Sequence, residues 1–168
     1  MSVSSKNWDK EALIAQLMQD MNEALEVMLS AAQSAHDAAT HEEMKPENDK
    51  DTRGLEAGYL AAGQSARAAE LQQALRGLQQ VTPRSFAADE SVSALAIIEL
   101  EDQESESRVW VFLTPYGSGQ KLKVAGREIQ VATARSPLGG AILGKHVGDL
   151  IEYSAGGRRR EFEILSLQ

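Results

Sequence analysis

The sequence predicts an α+β protein in which an N-terminal antiparallel coiled-coil hairpin precedes a small antiparallel β domain with one short helix. Through the first 80 residues, apolar or small residues recur every three or four positions, the spacing of a helix stripe. From residue 83 onward, short segments rich in β-branched and aromatic residues alternate with turns. We therefore predict a helical hairpin over 1–82 and a β domain over 83–168.

The first helix is predicted to begin near Lys10, with Asp9 as its N-cap and Trp8 as a hydrophobic staple. No Gly or Pro interrupts residues 9–45. A helix of about 30 residues is about 45 Å long and needs a partner along its length. Its predicted stripe consists of Leu13, Leu17, Met21, Leu25, Met28, Ala32, Ala35 and Ala39.

The partner is predicted to be a second helix that follows a connecting segment near 41–52. Small residues dominate the stripes of both helices close to this segment, which predicts a hairpin that is narrow at its tip, with Tyr59 packed inside it. A piece of a four-helix bundle is the alternative, but no further long helices follow. The second stripe is Leu55, Tyr59, Ala62, Ala66 and Ala69, continued by Ala68, Leu71, Leu75 and Leu78.

The second half is predicted to form short strands and one short helix. Thr82 precedes Pro83, which ends the helical part. Ser136 and Pro137 begin the short helix as N-cap and first residue, and it runs to Leu143. The two residues Ala125-Gly126 link one pair of strands as a hairpin. The predicted strands are Ser93–Leu100, Arg108–Thr114, Lys121–Val124, Glu128–Thr133, Leu150–Ser154 and Arg159–Leu167.

Composition excludes several classes of function. The formal net charge is −8, of which residues 1–80 carry −6 and residues 81–168 carry −2, and this argues against bulk binding to nucleic-acid phosphates. The absence of cysteine excludes disulfides and cysteine-based zinc sites. No signal peptide and no apolar run of about 18 residues are present, so we expect a cytoplasmic protein.

The connecting segment is the candidate site in the first half. It contains Glu47, Asp49 and Asp51 within five residues, just after Pro46. Carboxylates are ligands that Mg²⁺ prefers. Composition alone favours a second interpretation, in which the acids keep a polar loop solvated.

Residues 136–151 resemble the C-terminal domain of the Gre family of bacterial transcription elongation factors. The similarity lies in Ser136-Pro137-Leu138, then Gly144-Lys145 and Gly148-Asp149, followed by a strand, the Gly156-Gly157 turn and a terminal strand. Residues 56–62, Glu-Ala-Gly-Tyr-Leu-Ala-Ala, are similar to the start of the second helix of that family. The resemblance implies an FKBP-like β domain after the coiled coil, with RNA polymerase as partner.

The resemblance also implies a mechanism. The coiled coil enters the secondary channel of RNA polymerase, and carboxylates at its tip help hold a Mg²⁺ ion that activates cleavage of backtracked RNA. Asp51 and Asp49 are the expected catalytic ligands, followed by Glu47 and Glu56. The protein is then not an enzyme itself, has no cofactor of its own and meets the RNA 3′ end only inside the polymerase. Ser136, Pro137 and Leu138 are expected to face the channel rim. Arg53 follows the connecting segment and is a candidate contact for RNA phosphate, with ordinary surface charge as the alternative.

The tip departs from the family pattern. The family places an Asp and a Glu where this chain has Thr52 and Leu55, with Asp51 and Glu56 each one residue away. The alternative is therefore a regulator that occupies the channel without promoting cleavage. A prolyl isomerase is a third hypothesis, but fold alone confers no activity and the β domain has few aromatic residues.

Overall fold

The computed structural model describes residues 7–40, 53–117 and 119–168, without the side chains of 39, 40, 53–57 and 155. Two long helices precede six strands that form one sheet, and a short helix lies between the fourth and fifth strands in the sequence. This arrangement confirms the predicted fold class. The chain forms two compact units, Met18–Gln79 and Met1–Leu17 with Gln80–Gln168. The helices are α1 Lys10–Thr40, α2 Arg53–Leu78 and α3 Pro137–Ile142; the strands are β1 Ile97–Asp102, β2 Arg108–Leu113, β3 Lys121–Val124, β4 Arg127–Ala132, β5 Leu150–Ala155 and β6 Arg158–Leu167.

The helical unit contains most of α1 and all of α2. Residues 29–36 of α1 and 58–65 of α2 line a common cavity of about 470 Å³, so the end of α1 lies beside the start of α2, as an antiparallel hairpin requires. The prediction that Tyr59 packs inside the hairpin is wrong, because its side chain is 71% exposed. It lies two residues before the buried Ala61 and therefore about 200° away around the helix. The buried residues are Met21, Ala32, Ala35, Ala61, Ala68, Leu75 and Leu78.

The first turns of α1 belong to the sheet unit. Asp9 is confirmed as the N-cap, since the Ala12 amide donates to its Oδ1 at 2.9 Å. Trp8 is buried, and its ring meets Trp110 edge-on with centroids 5.6 Å apart. The Arg127 guanidinium lies 3.8 Å from the Trp8 ring centroid. Aromatic and cation–π contacts thus join the beginning of the chain to β2 and β4.

The sheet has the strand order β3-β4-β2-β1-β6-β5. Its neighbouring strands are antiparallel except β2 and β4, which are parallel, so the sheet is mixed. The parallel pair arises because β3 lies at the edge and β4 returns between β3 and β2. The predicted two-residue link is confirmed: Ala125 and Gly126 both have positive φ, at 53° and 76°, as a tight hairpin requires.

One predicted strand begins later than expected. The segment from Ser93 forms a turn before β1, in which Leu95 has a φ of 70° and the Ala96 amide donates to the Ser93 carbonyl. The backbone therefore becomes extended only at Ile97. The core below the sheet is built from Val92, Ala96, Ile98, Leu100, Val111, Leu113, Ala132, Leu138, Ile142, Ile151, Phe162, Ile164 and Leu167.

Asp102 is a buried carboxylate at the end of β1. Its Oδ1 accepts from the amides of Ser105 at 3.0 Å and Glu104 at 2.9 Å, and its Oδ2 pairs with Arg160. The Ser105 hydrogen bond is the main cause that lowers the pKa of Asp102 below its ordinary value. The pair fixes the turn between β1 and β2 against β6. Within the described part of the chain, no helix is long and apolar enough to cross a membrane.

Candidate functional site

The start of α3 is held by one side chain that makes two hydrogen bonds. Ser136 Oγ accepts from the Gly139 amide at 3.1 Å and donates to the Thr133 carbonyl at 2.8 Å. The Ser136 backbone is extended, with φ −78° and ψ 153°, and Pro137 follows at the first helical position. The predicted N-cap is therefore confirmed, and the turn between β4 and α3 has a defined geometry.

Gly139 allows the close approach that this turn needs. A Cβ at position 139 would overlap the Thr133 carbonyl oxygen, whereas a Cβ at Gly140 would lie 3.3 Å from the Ala134 oxygen. The same Thr133 oxygen also accepts from the Ser136 amide at 2.9 Å. The turn thus folds tightly around one carbonyl group, and only glycine fits at 139.

The three residues expected to contact a partner lie in different surroundings. Pro137 is exposed and Ser136 is half-buried. Leu138 is only 5% exposed and packs in the core below the sheet. Leu138 therefore anchors α3, and Pro137 is the member of the three that presents most surface to solvent.

Three exposed apolar residues follow α3 and were missed in the sequence. Leu143 is 45% exposed, Val147 38% and Leu150 55%. The sequence predicts Leu143 in an apolar helix and Leu150 in a strand, and both patterns normally indicate burial. One signal was available, since Leu150 shares its strand face with the exposed Glu152. We call Pro137, Leu143, Val147 and Leu150 the α3 surface.

The backbone around the α3 surface is fixed by hydrogen bonds to the sheet unit. Gly144 donates to the Val92 carbonyl at 2.8 Å, and Val92 donates to the Lys145 carbonyl at 2.7 Å. Gly148 donates to the Ile164 carbonyl at 2.8 Å. Asp149 Oδ2 accepts from the His146 amide at 2.8 Å. A preorganised apolar surface loses little conformational entropy when a partner binds.

Exposed cations flank α3 in the sequence. Arg135 precedes α3, and Lys145 follows it. The carboxylate nearest to Lys145 in sequence is Asp149, whose Oδ2 accepts from the His146 amide. Exposed apolar residues and exposed cations in one segment suit a protein partner that carries apolar side chains and acidic groups.

The predicted acidic site lies elsewhere. Glu47, Asp49 and Asp51 fall outside the described residues. Arg53 and Glu56 lie in the first turn of α2, where the backbone is helical and the side chains are not described. Within 7–40, 53–117 and 119–168, no group of three or more His, Asp or Glu side chains is arranged to hold a metal ion. The assignment of metal ligands therefore stays a prediction.

No protein-family model matches the sequence, and no curated protein is significantly similar to it. The chain is similar in structure to Gre-type transcription factors. One solved structure, described as the transcription factor Gfh1, is 25% identical, with 91% of this chain and 94% of that chain covered and a TM-score of 0.41. GreA factor homolog 1 of Thermus thermophilus is also 25% identical, with 91% and 95% covered and a TM-score of 0.38.

The elongation factor GreA/GreB from Nitrosomonas europaea is 20% identical. Here 58% of this chain and 78% of that chain are covered, and the TM-score is 0.37. These TM-scores are low, so the case for a function rests on the residues of this chain.

Proposed function

We propose that this chain is a cytoplasmic transcription elongation factor of the Gre type, which binds RNA polymerase at its secondary channel. The observation that carries the proposal is the motif between Ser136 and Asp149. The motif matches the family pattern, and its residues have physical roles here: Ser136 caps α3, Gly139 permits the close turn and Gly148 bonds to β6.

The α3 surface is proposed to dock on the rim of the channel. Its exposed apolar residues stand on a fixed backbone, which favours a protein partner over a small ligand. The two long helices support the second part of the proposal, because α1 with 31 residues and α2 with 26 suit a hairpin that reaches into a channel.

The segment between these helices carries the proposed chemistry. Asp51 and Asp49, with Glu47 and Glu56 behind them, supply hard oxygen ligands of the kind that suits Mg²⁺. Such an ion, held jointly with the polymerase, would stabilise charge on the reacting phosphate oxygens. This chain's share is to position carboxylates, and the nuclease activity belongs to the polymerase.

A regulator that occupies the channel without cleavage is the second candidate. The register of the acids favours it, since Thr52 and Leu55 stand where the family has an Asp and a Glu. Because α2 begins at Arg53, position 55 lies within the helix. The residue there is leucine, which has no carboxylate to bind a metal ion.

A cleavage assay on backtracked RNA polymerase complexes separates the two candidates. For the first candidate, we expect RNA shortening with the wild-type chain and loss of that shortening in the Asp49→Asn/Asp51→Asn variant. Glu42→Gln/Glu43→Gln, a change of two acids in the same segment, is the matched control and is expected to retain activity. Binding without any shortening of the RNA would select the regulator instead.

A further inference from the structure

The two edge strands of the sheet differ in how they are protected against pairing with another chain. Among the strands that the structure describes, β3 and β5 lie at the two ends of the order β3-β4-β2-β1-β6-β5, and each has one neighbour. β3 has four residues, and its lysines, Lys121 and Lys123, are exposed. Short edge strands with charged side chains resist the addition of a further strand. β3 is therefore a protected edge.

β5 lacks these protections. It has six residues, and its register with β6 is unbroken from Leu150 to Ala155. Its sequence, Leu-Ile-Glu-Tyr-Ser-Ala, contains neither lysine nor proline. Its one charged residue, Glu152, is already paired with Arg159 of β6. A regular edge strand with so little charge is a template for an added strand.

Hydrogen bonds fix which backbone groups of β5 face outward. The Ile164 amide donates to the Asp149 carbonyl at 3.0 Å, so the ladder between β5 and β6 is hydrogen-bonded at this position. Because bonded positions alternate in an antiparallel pair, Ile151 and Tyr153 also bond to β6. The backbone N–H and C=O groups of the alternate residues therefore point away from the sheet. These residues, all exposed, are Leu150, Glu152 and Ser154.

Tyr153 is the aromatic residue of this edge strand. Its side chain is half-buried against the core below the sheet, and its ring stacks on Phe162 with centroids 5.6 Å apart. The Tyr153 ring thus forms the outer end of an apolar cluster. A second aromatic ring opposite Tyr153 would extend this stack and cover the part of the ring that faces solvent.

The sequence of β5 is self-complementary in one register. Antiparallel pairing of two copies about a two-fold axis places outward-facing residues opposite each other, and axes at Glu152 or Tyr153 give the longest overlaps. An axis at Glu152 would oppose two carboxylates, which is destabilising. An axis at Tyr153 brings the two tyrosine rings together and places Glu152 opposite Ser154 of the second copy. Only the second arrangement opposes no like charges.

We propose that two copies of this chain associate through the outer edges of β5, antiparallel and with the two-fold axis at Tyr153. The backbone groups of Glu152 and Ser154 pair across the axis, and the two six-stranded sheets become one continuous sheet. Two strands of this length bury less than the roughly 1,200 Å² of a standard interface, so we expect a weak dimer. The inference concerns the chain alone and does not rest on the proposed function.

Sedimentation equilibrium of the full chain, at concentrations up to about 1 mM, tests the association. We expect the average mass to rise with concentration from that of one chain towards that of two. Ser154→Lys places a cation opposite Glu152 of the second copy, and the axis repeats this pair, so the dimer is expected to become about threefold tighter or more. Ser154→Glu is expected to weaken it by a similar factor. A wild-type chain that stays monomeric, or equal affinities of the two variants, would overturn the proposal.

Disulfide formation tests the position of the axis. The chain contains no cysteine, so a single introduced cysteine can form a disulfide only with another copy. In the proposed register the two Cα atoms of residue 153 lie about 4.5 Å apart, which a disulfide spans. We therefore expect rapid bridging of Tyr153→Cys under mild oxidation.

Ser154→Cys is the matched control for this bridging. Its two copies would lie about 7–8 Å apart on a diagonal, which is too far for a disulfide, so we expect slow bridging. Equal rates for Tyr153→Cys and Ser154→Cys would overturn the proposal. Faster bridging of Glu152→Cys than of Tyr153→Cys would contradict the proposed axis. Should Tyr153→Cys fail to fold, the sedimentation of the wild-type chain and the two Ser154 charge variants decides the question.

Discussion

Gly139 approaches the Thr133 carbonyl oxygen so closely that a methyl group at position 139 would overlap this oxygen. The same oxygen accepts hydrogen bonds from the amide and the hydroxyl of Ser136. Thr133, Ser136 and Gly139 therefore form one tightly closed turn, and its geometry sets the direction of α3. The exposed position of Pro137 depends on this turn.

Replacement of Gly139 by alanine tests the turn directly. Because the added methyl group forces the backbone away from Thr133, we expect Gly139→Ala to lower the free energy of unfolding by about 3 kcal/mol. Gly140→Ala is the matched control. Its Cβ would lie 3.3 Å from the Ala134 oxygen, and alanine favours the helix, so the change is expected to stay within about 1 kcal/mol. Chemical denaturation measures both, and equal effects would contradict this description of the turn.

Ser136→Ala removes the N-cap hydroxyl from α3. The Gly139 amide loses its acceptor, and we expect the free energy of unfolding to fall by about 1 kcal/mol. Ser136→Thr keeps a hydroxyl at the same position and is expected to retain most of the stability. Denaturation with urea compares the three proteins, and an unchanged midpoint for Ser136→Ala would show that the cap is energetically neutral.

Lys10 makes stability depend on pH in the alkaline range. Its pKa is about 8 in the folded chain and 10.5 when fully solvated, so between these values the unfolded chain binds more protons. Stability is therefore expected to rise with pH in this window. Because Lys10 is only half-buried, solvent screening reduces the expected gain to about 1 kcal/mol.

Lys10→Met is expected to remove this rise, and Lys145→Met is expected to preserve it. The free energy of unfolding, measured by denaturant at several pH values between 8 and 10.5, gives the comparison. A fall in stability across the window in the wild-type chain, absent from Lys10→Met, would mean that the ammonium form is favoured by folding.

The element order could be predicted from the sequence because its signals are local. Each of these signals depends on a few neighbouring residues. They are the N-caps Asp9 and Ser136, the Thr82-Pro83 pair that ends the helical part, and the helix-period stripes. Less local features were missed. The parallel pairing of β2 with β4 depends on where the chain returns after β3, and no pattern within either strand encodes this.

The solvent exposure of side chains was predicted least well from the sequence. Tyr59 fits the helix period of its neighbours, yet it faces solvent. Leu138 and Leu150 are the same residue type within one motif, but Leu138 enters the core and Leu150 does not. The difference is set by which side of α3 and which face of β5 is turned toward the core below the sheet. A hydrophobic pattern alone does not contain that information.

The central claim is that the α3 surface binds RNA polymerase. The most direct measurement is the affinity of the chain for RNA polymerase after Leu150→Asp, compared with the wild type and with Ala88→Asp. Ala88 is exposed in the sheet unit and lies outside the α3 surface. We expect Leu150→Asp to weaken binding at least about tenfold, because a charge then faces an apolar partner, and Ala88→Asp to have a smaller effect. Equal affinities of wild type and Leu150→Asp, with both folded, would contradict the claim.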